Sequence, residues 1–200
     1  MEHLEAINRA LFLTINANLG SPNWLINLTR YIADDLILLI PLLLLGIWFW
    51  REDTCRNIAL KSCVVTFVAL GTNQLIGLAW PHPRPFMLGL GHTFILHAAD
   101  PSFPSDHLTI FASIGITLFL GKIRTLAVIT LLLGLMVGWS RIFLGVHFPL
   151  DMLGAVLVCI ITYALVTPVW DKLSAPIMQT SIRFYQYLFA RAITAGWIKH

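Results

Sequence analysis

The sequence predicts an all-α protein: a polytopic membrane bundle of five or six transmembrane helices with amphipathic terminal helices. Three observations carry that expectation. Of the 200 residues, 58% are hydrophobic and only 12% charged, where a soluble domain carries about 45–50% apolar and about 25% charged residues. Mean hydropathy is +0.79. The apolar residues gather into runs that approach the roughly 20 residues a helix needs to cross the hydrocarbon core, without strand-length alternation or an internal repeat. This composition excludes a water-soluble enzyme, a disordered tail and a collagen-like fibre. Residues 1–200 read as one integral membrane domain.

Each element has its own signal. The first apolar run, 36–50, is too short to span alone and is expected to begin around Ile32 or earlier. The second, 58–80, carries Lys61 near its start, placed to snorkel toward the interface. The third, 105–120, and the fourth, 126–139, are separated by a short turn and form an antiparallel hairpin, the fourth extending past Arg141. The fifth is 150–170. Trp48, Trp50, Trp80 and Trp170 fall at span ends, as an aromatic belt requires. The flanks 4–17 and 177–198 are amphipathic and suited to the interface. The second flank is long enough for a sixth span. Residues 1–17 contain Glu2 and Glu5 and lack a basic start, so they do not read as a cleavable signal.

Charge sets the orientation. Of the thirteen Lys and Arg residues, Arg51, Arg56, Lys61, Lys122, Arg124, Lys172, Arg183, Arg191 and Lys199 share one side under a five-span topology. The positive-inside rule makes that side cytoplasmic. Arg9, Arg30, Arg84 and Arg141 remain on the other side, which places the loop 81–104 and the N-terminus outside. The net charge of +3 comes without a basic run, so no nucleic-acid partner is expected. Cys55, Cys63 and Cys159 are scattered, which suits neither a disulfide framework nor a zinc site. His82, His92 and His97 are too irregularly spaced to argue for a metal.

The chemistry lies at the outer ends of the spans. His82 and Arg84 stand in one polar segment, Ser105, Asp106 and His107 in a second, and Ser140, Arg141, His147 and Asp151 in a third. Taken singly, these are an interfacial anchor, a loop histidine or a helix cap. Together they supply two guanidinium forks for phosphate oxygens, an anion site at a helix N-terminus near Ser105, and two histidines able to serve as acid, base or nucleophile. Asp151, four residues after His147, can reach the ring and hold its tautomer. The inventory suits phosphoryl transfer.

The residues resemble the type 2 phosphatidic acid phosphatase superfamily, whose signatures are K-x6-RP, PSGH and SR-x5-H-x3-D. The third is complete in Ser140, Arg141, His147 and Asp151. The second reads Pro104-Ser105-Asp106-His107, and the first keeps Arg84-Pro85 with Gly77 at the lysine position. The motif region is 77–151. The Pro-His-x-Arg-Pro-Phe and PSDH variants look like the bacitracin-resistance type of undecaprenyl pyrophosphate phosphatase.

This resemblance implies hydrolysis of undecaprenyl pyrophosphate to undecaprenyl phosphate at the outer face of the bacterial cytoplasmic membrane, recycling the carrier lipid for peptidoglycan synthesis. It implies His147 as nucleophile forming a phosphohistidine, Asp151 as its support and His107 as acid and then base. Arg84, Ser105, Asp106 and Arg141 would hold phosphate. His82 and Asn73 are candidates to replace the missing lysine contact, and Ser140 is a further candidate. Asp34 and Asp35 read as an interfacial helix start. No cofactor or metal is called for, because arginines and backbone dipoles supply the charge stabilisation. The partners expected are the polyprenyl lipid and the surrounding membrane lipids; oligomeric state is open. The rivals are a phosphatidylglycerophosphate or phosphatidic acid phosphatase, a lipid phosphotransferase of the same superfamily, and, from another class, a non-enzymatic transporter.

Overall fold

The structure is a computed structural model that describes residues 2–198. Every regular element among them is helical. Helix α1 is Glu2–Ile15, α2 is Asn23–Asp34 and α3 is Leu39–Trp50, with a 3-10 turn at Leu36–Leu38 joining α2 to α3. Then come α4, Asp53–Ala79, a 3-10 turn at Pro85–Leu88, α5, Asp106–Leu120, α6, Arg124–Phe143, and α7, Pro149–Thr194. Four stretches are long and apolar enough to cross a membrane: Asn23–Trp50, Asp53–Ala79, Arg124–Phe143 and Pro149–Thr194. The shorter α5 is apolar too and is enclosed by α4, α6 and α7.

The first span is therefore α2, the turn and α3 together, 28 residues in all. The short 36–50 run is completed from its N-terminal side. The region after Trp170 differs from the expected separate flank. It continues α7, which runs for 46 residues across Pro168 and Pro176 and departs from helical geometry only at Phe189. No turn among the described residues lets it cross back, so the region after Trp170 adds no separate span to the four long apolar stretches and the shorter α5. Its inward face, Trp170, Met178 and Tyr185, is buried at seven- and eight-residue spacing. Tyr185 meets Trp48 and Phe49 and lies under the Arg56 guanidinium. Trp170 is not a lipid-facing anchor: its indole N–H donates to Asn57 at 2.8 Å. Lys199, counted among the cytoplasmic cations, lies outside the described residues.

Lys61 does not snorkel. Its side chain is buried, with Nζ 4.4 Å from the centre of the Tyr163 ring and 3.4 Å from its hydroxyl. Polar contacts also join α4 to α5. Thr66 and Ser113 share a 2.7 Å hydrogen bond, and the Asn73 amide donates to Thr109 at 2.9 Å. In hydrocarbon such groups have no water to turn to, so they bond across helices.

The length of α5 positions the site. Its 15 residues rise about 22 Å, short of the roughly 30 Å hydrocarbon core. The loop 81–105 lies over the N-terminal end of α5, where the cavity forms. Helix α1, 14 residues long, packs against the C-terminal end of α6 and the N-terminal end of α7 through Phe12, whose ring meets Phe148 edge-on at 5.4 Å.

Candidate active site

Arg84, Asp106, His107 and His147 line a cavity of about 220 Å³ above α5, with Asn73, Gln74 and Gly77 of α4 and His97, Asp100 and Pro101 of the covering loop. Three local features build it. Gly145 takes φ +87, and a Cβ there would run into the His92 carbonyl, so only glycine lets the chain turn between α6 and His147. Phe103 lies where a side chain on Gly154 would be, which seats residues 102–105 against α7. The Ser105 N–H donates to the Asp151 carbonyl at 3.2 Å, joining the start of α5 to the first turn of α7.

His147 and Asp151 form a buried pair. Nδ1 of His147 stands 3.0 Å from Oδ2 of Asp151, and that oxygen also accepts the Phe148 N–H at 2.8 Å. On the other ring nitrogen, Nε2, Arg84 Nη1 sits at 3.1 Å. A guanidinium only donates, so Nε2 carries the lone pair and Nδ1 the proton given to Asp151. That is the tautomer a nucleophilic imidazole needs. Burial, with the positive charges of Arg84 and Arg141 added, holds the His147 pKa well below the ordinary imidazole value.

Arg84 is buried and fully engaged. Nε reaches Asp100 Oδ1 at 2.9 Å and the Asp100 carbonyl at 3.1 Å; Nη1 also donates to the Val146 carbonyl at 2.9 Å and Nη2 to the Pro101 carbonyl at 3.2 Å. Arg141 lies behind the cavity wall. Its Nη1 donates to Asp34 at 3.0 Å, while its buried Nε has no partner among the described residues. Ser105 Oγ is likewise buried and unpaired. Two buried polar atoms without partners are costly, and both belong to residues next to the cavity rather than lining it. His107 faces the cavity and makes no hydrogen bond among the described residues, leaving its ring free for proton transfer. His97 closes the cavity 6.2 Å from the His147 ring. Burial lowers its pKa, aided by Arg84 and Arg141 and opposed by a bond to the Ala98 carbonyl.

Several sequence expectations are placed differently. Asp106 lines the cavity, but its carboxylate accepts from Asn73 at 2.8 Å and Gln74 at 3.1 Å. It ties α5 to α4. Asn73 spends its amide N–H groups on Asp106 and Thr109, though its buried oxygen is unpaired. His82 is absent from the cavity and faces the opposite side of Asp151. Ser140 bonds back to the Val137 carbonyl within α6 at 2.7 Å and is fully buried. Asp34 ends α2 rather than starting a helix, and it is the partner of Arg141. Nothing replaces a lysine side chain at Gly77; the open wall there is closed by Pro101. Residues that sequence reasoning missed include Asp100 and Asn8. Asn8 Oδ1 accepts the Leu150 N–H at 3.0 Å, one of the donors a helix start leaves free.

A helical membrane bundle with a buried His–Asp pair, two arginines and a second histidine at one mouth is a phosphoryl-transfer architecture, and the chain belongs to the PAP2 superfamily, whose sequence model matches residues 58–175. Among curated relatives, it is 35% identical to YbjG of Escherichia coli (strain K12), which carries the provisional name undecaprenyl-diphosphatase, over 98% of this chain and 99% of that one. It is 34% identical to the undecaprenyl-diphosphatase BcrC of Bacillus subtilis (strain 168), over 90% of this chain and 92% of that one. The fold matches the crystal structure of a PAP2-type phosphatidylglycerolphosphate phosphatase from Bacillus subtilis with a TM-score of 0.63, at 23% identity, covering 86% of this chain and 89% of that chain.

Proposed function

We propose that this protein is an undecaprenyl-diphosphatase of the bacterial cytoplasmic membrane, with its site on the outer face. It releases inorganic phosphate from undecaprenyl pyrophosphate and returns undecaprenyl phosphate to cell-wall synthesis. The observation that carries the reading is the His147 ring, with its Nδ1–H donated to Asp151 and its Nε2 lone pair turned to Arg84 at the cavity. Names of relatives matching nearly the whole chain support the substrate.

The chemistry follows from the arrangement. Nε2 of His147 attacks the terminal phosphorus as the bond to the bridging oxygen breaks, and His107 protonates the departing lipid phosphate. Asp151 stabilises the imidazolium character of the phosphohistidine. His107 then takes a proton from water, which displaces phosphate and restores His147. Arg84, Arg141 and Ser105 receive the charge that builds on the phosphoryl oxygens.

The test is phosphate release by detergent-purified protein across undecaprenyl pyrophosphate, phosphatidylglycerophosphate and phosphatidic acid. Wild type should prefer the pyrophosphate. Folded His147→Ala protein should release none above background; near wild-type release by that variant would refute the assignment.

A further inference from the structure

The side of Asp151 facing away from the cavity is also wired. Ser102 Oγ, fully buried, lies 3.5 Å from Asp151 Oδ1. His82 Nδ1 lies 3.0 Å from that hydroxyl, and His82 Nε2 stands 3.5 Å from Glu5 Oε2 on α1. Glu5 is held in turn by Arg9 at 2.9 Å. The His82 ring is sandwiched by Trp80 at 5.2 Å and Phe148 at 5.5 Å, and the Ser102 N–H donates to the His82 carbonyl at 2.8 Å. A single chain of polar groups thus runs from Glu5 through His82, Ser102 and Asp151 to His147.

Proton bookkeeping gives the chain a direction. Asp151 already accepts the His147 Nδ1–H and the Phe148 N–H on Oδ2, so only Oδ1 faces Ser102. The Ser102 proton has two acceptors, Asp151 Oδ1 and the Pro83 carbonyl at 3.4 Å. When His82 donates from Nδ1, it occupies a lone pair of the hydroxyl and leaves its proton for one of those oxygens. Glu5 Oε2, 3.5 Å from Nε2, flanks the far side of the ring.

We propose that His82 and Ser102, backed by Glu5, are positioning residues for the hydrolytic reaction, setting the orientation of Asp151 and through it the imidazole of His147. The assignment rests on the phosphatase reading above. It moves His82 from a phosphate contact to the support of the nucleophile, and it makes α1 part of the catalytic framework.

A phosphate ligand and a positioning residue leave different kinetic traces. His82→Ala and Ser102→Ala should each lower kcat about tenfold, the order expected for a hydrogen bond to a charged group. KM and the inhibition constant for vanadate should stay within twofold. The double variant should lose no more than the worse single one, since both act through one chain. His82→Gln, whose amide can still donate to Ser102, should recover most of the rate. All variants are compared at matched detergent melting temperature, so loss of fold is scored separately. A raised KM with weakened vanadate binding, unchanged kcat in both single variants, or multiplicative loss in the double variant would overturn the relay. Absence of phosphate release by wild type would instead sink the phosphatase reading.

Discussion

Arg84 Nη1 caps the lone pair of His147 Nε2 at 3.1 Å, so in the resting site the expected phosphate ligand covers the nucleophile. Both cannot keep that contact while phosphorus approaches Nε2. The incoming phosphoryl group must draw Arg84 onto its own oxygens and uncover the nitrogen in the same movement. Arg84→Lys keeps a charge but loses the fork that spans Asp100, Val146 and His147. It should lower kcat/KM by about 10²–10³-fold, the scale for losing an oriented donor to a developing oxyanion. Steady-state assay in detergent measures it.

The same contact predicts a pH profile. Burial and the charges of Arg84 and Arg141 lower the His147 pKa, so the attacking nitrogen stays unprotonated as pH falls through about 6.5, where a free imidazole would gain its proton. The acid limb of kcat/KM should therefore lie below that value. A limb at or above it would mean that His147 titrates as an ordinary histidine.

Asp100 and Asp34 hold the two arginines in the absence of phosphate, and both carboxylates are half exposed. They compete with the anion for the same guanidinium groups. Asp100→Asn should tighten inhibition by vanadate or inorganic phosphate about two- to fivefold, a gain of the size expected when a partly exposed counter-ion is removed. Inhibition constants at fixed ionic strength test this, and weaker inhibition would contradict it.

The end of the bundle away from the cavity allows stability and catalysis to be separated. Arg56 is fully buried, with Nε donating to the Trp48 carbonyl at 2.8 Å and Nη1 to Asp53 at 2.9 Å. Arg56→Ala strands the carbonyl and empties the space beside Tyr185. It should cost about 2–4 kcal/mol and lower the melting temperature, while kcat of the folded fraction remains close to wild type.

How much of this was legible in the sequence depended on whether a signal was local. The spans were readable because hydropathy is a property of contiguous residues. His147 and Asp151 were readable because one helical turn joins them. Asp100 and Asp34 were not, since they meet Arg84 and Arg141 across 16 and 107 positions, and no periodicity encodes such a meeting. Lys61 and Trp170 misled for a related reason. Their places near span ends suggested the interface, but the facing Tyr163 and Asn57 turned them inward. The 177–198 flank has amphipathic character, yet amphipathicity does not mark where one helix stops, and Pro168 and Pro176 did not stop this one.

Asn8 on α1 caps the start of α7 at Leu150, and α7 ends at Thr194, about 65 Å of helix further on. The two ends of the chain are therefore unequal as places to build on. An affinity tag or fluorescent fusion ahead of α1 loads the helix that seats the turn carrying His147, whereas a handle after α7 hangs well clear of it. Purification and imaging of this enzyme are best served from the carboxyl end.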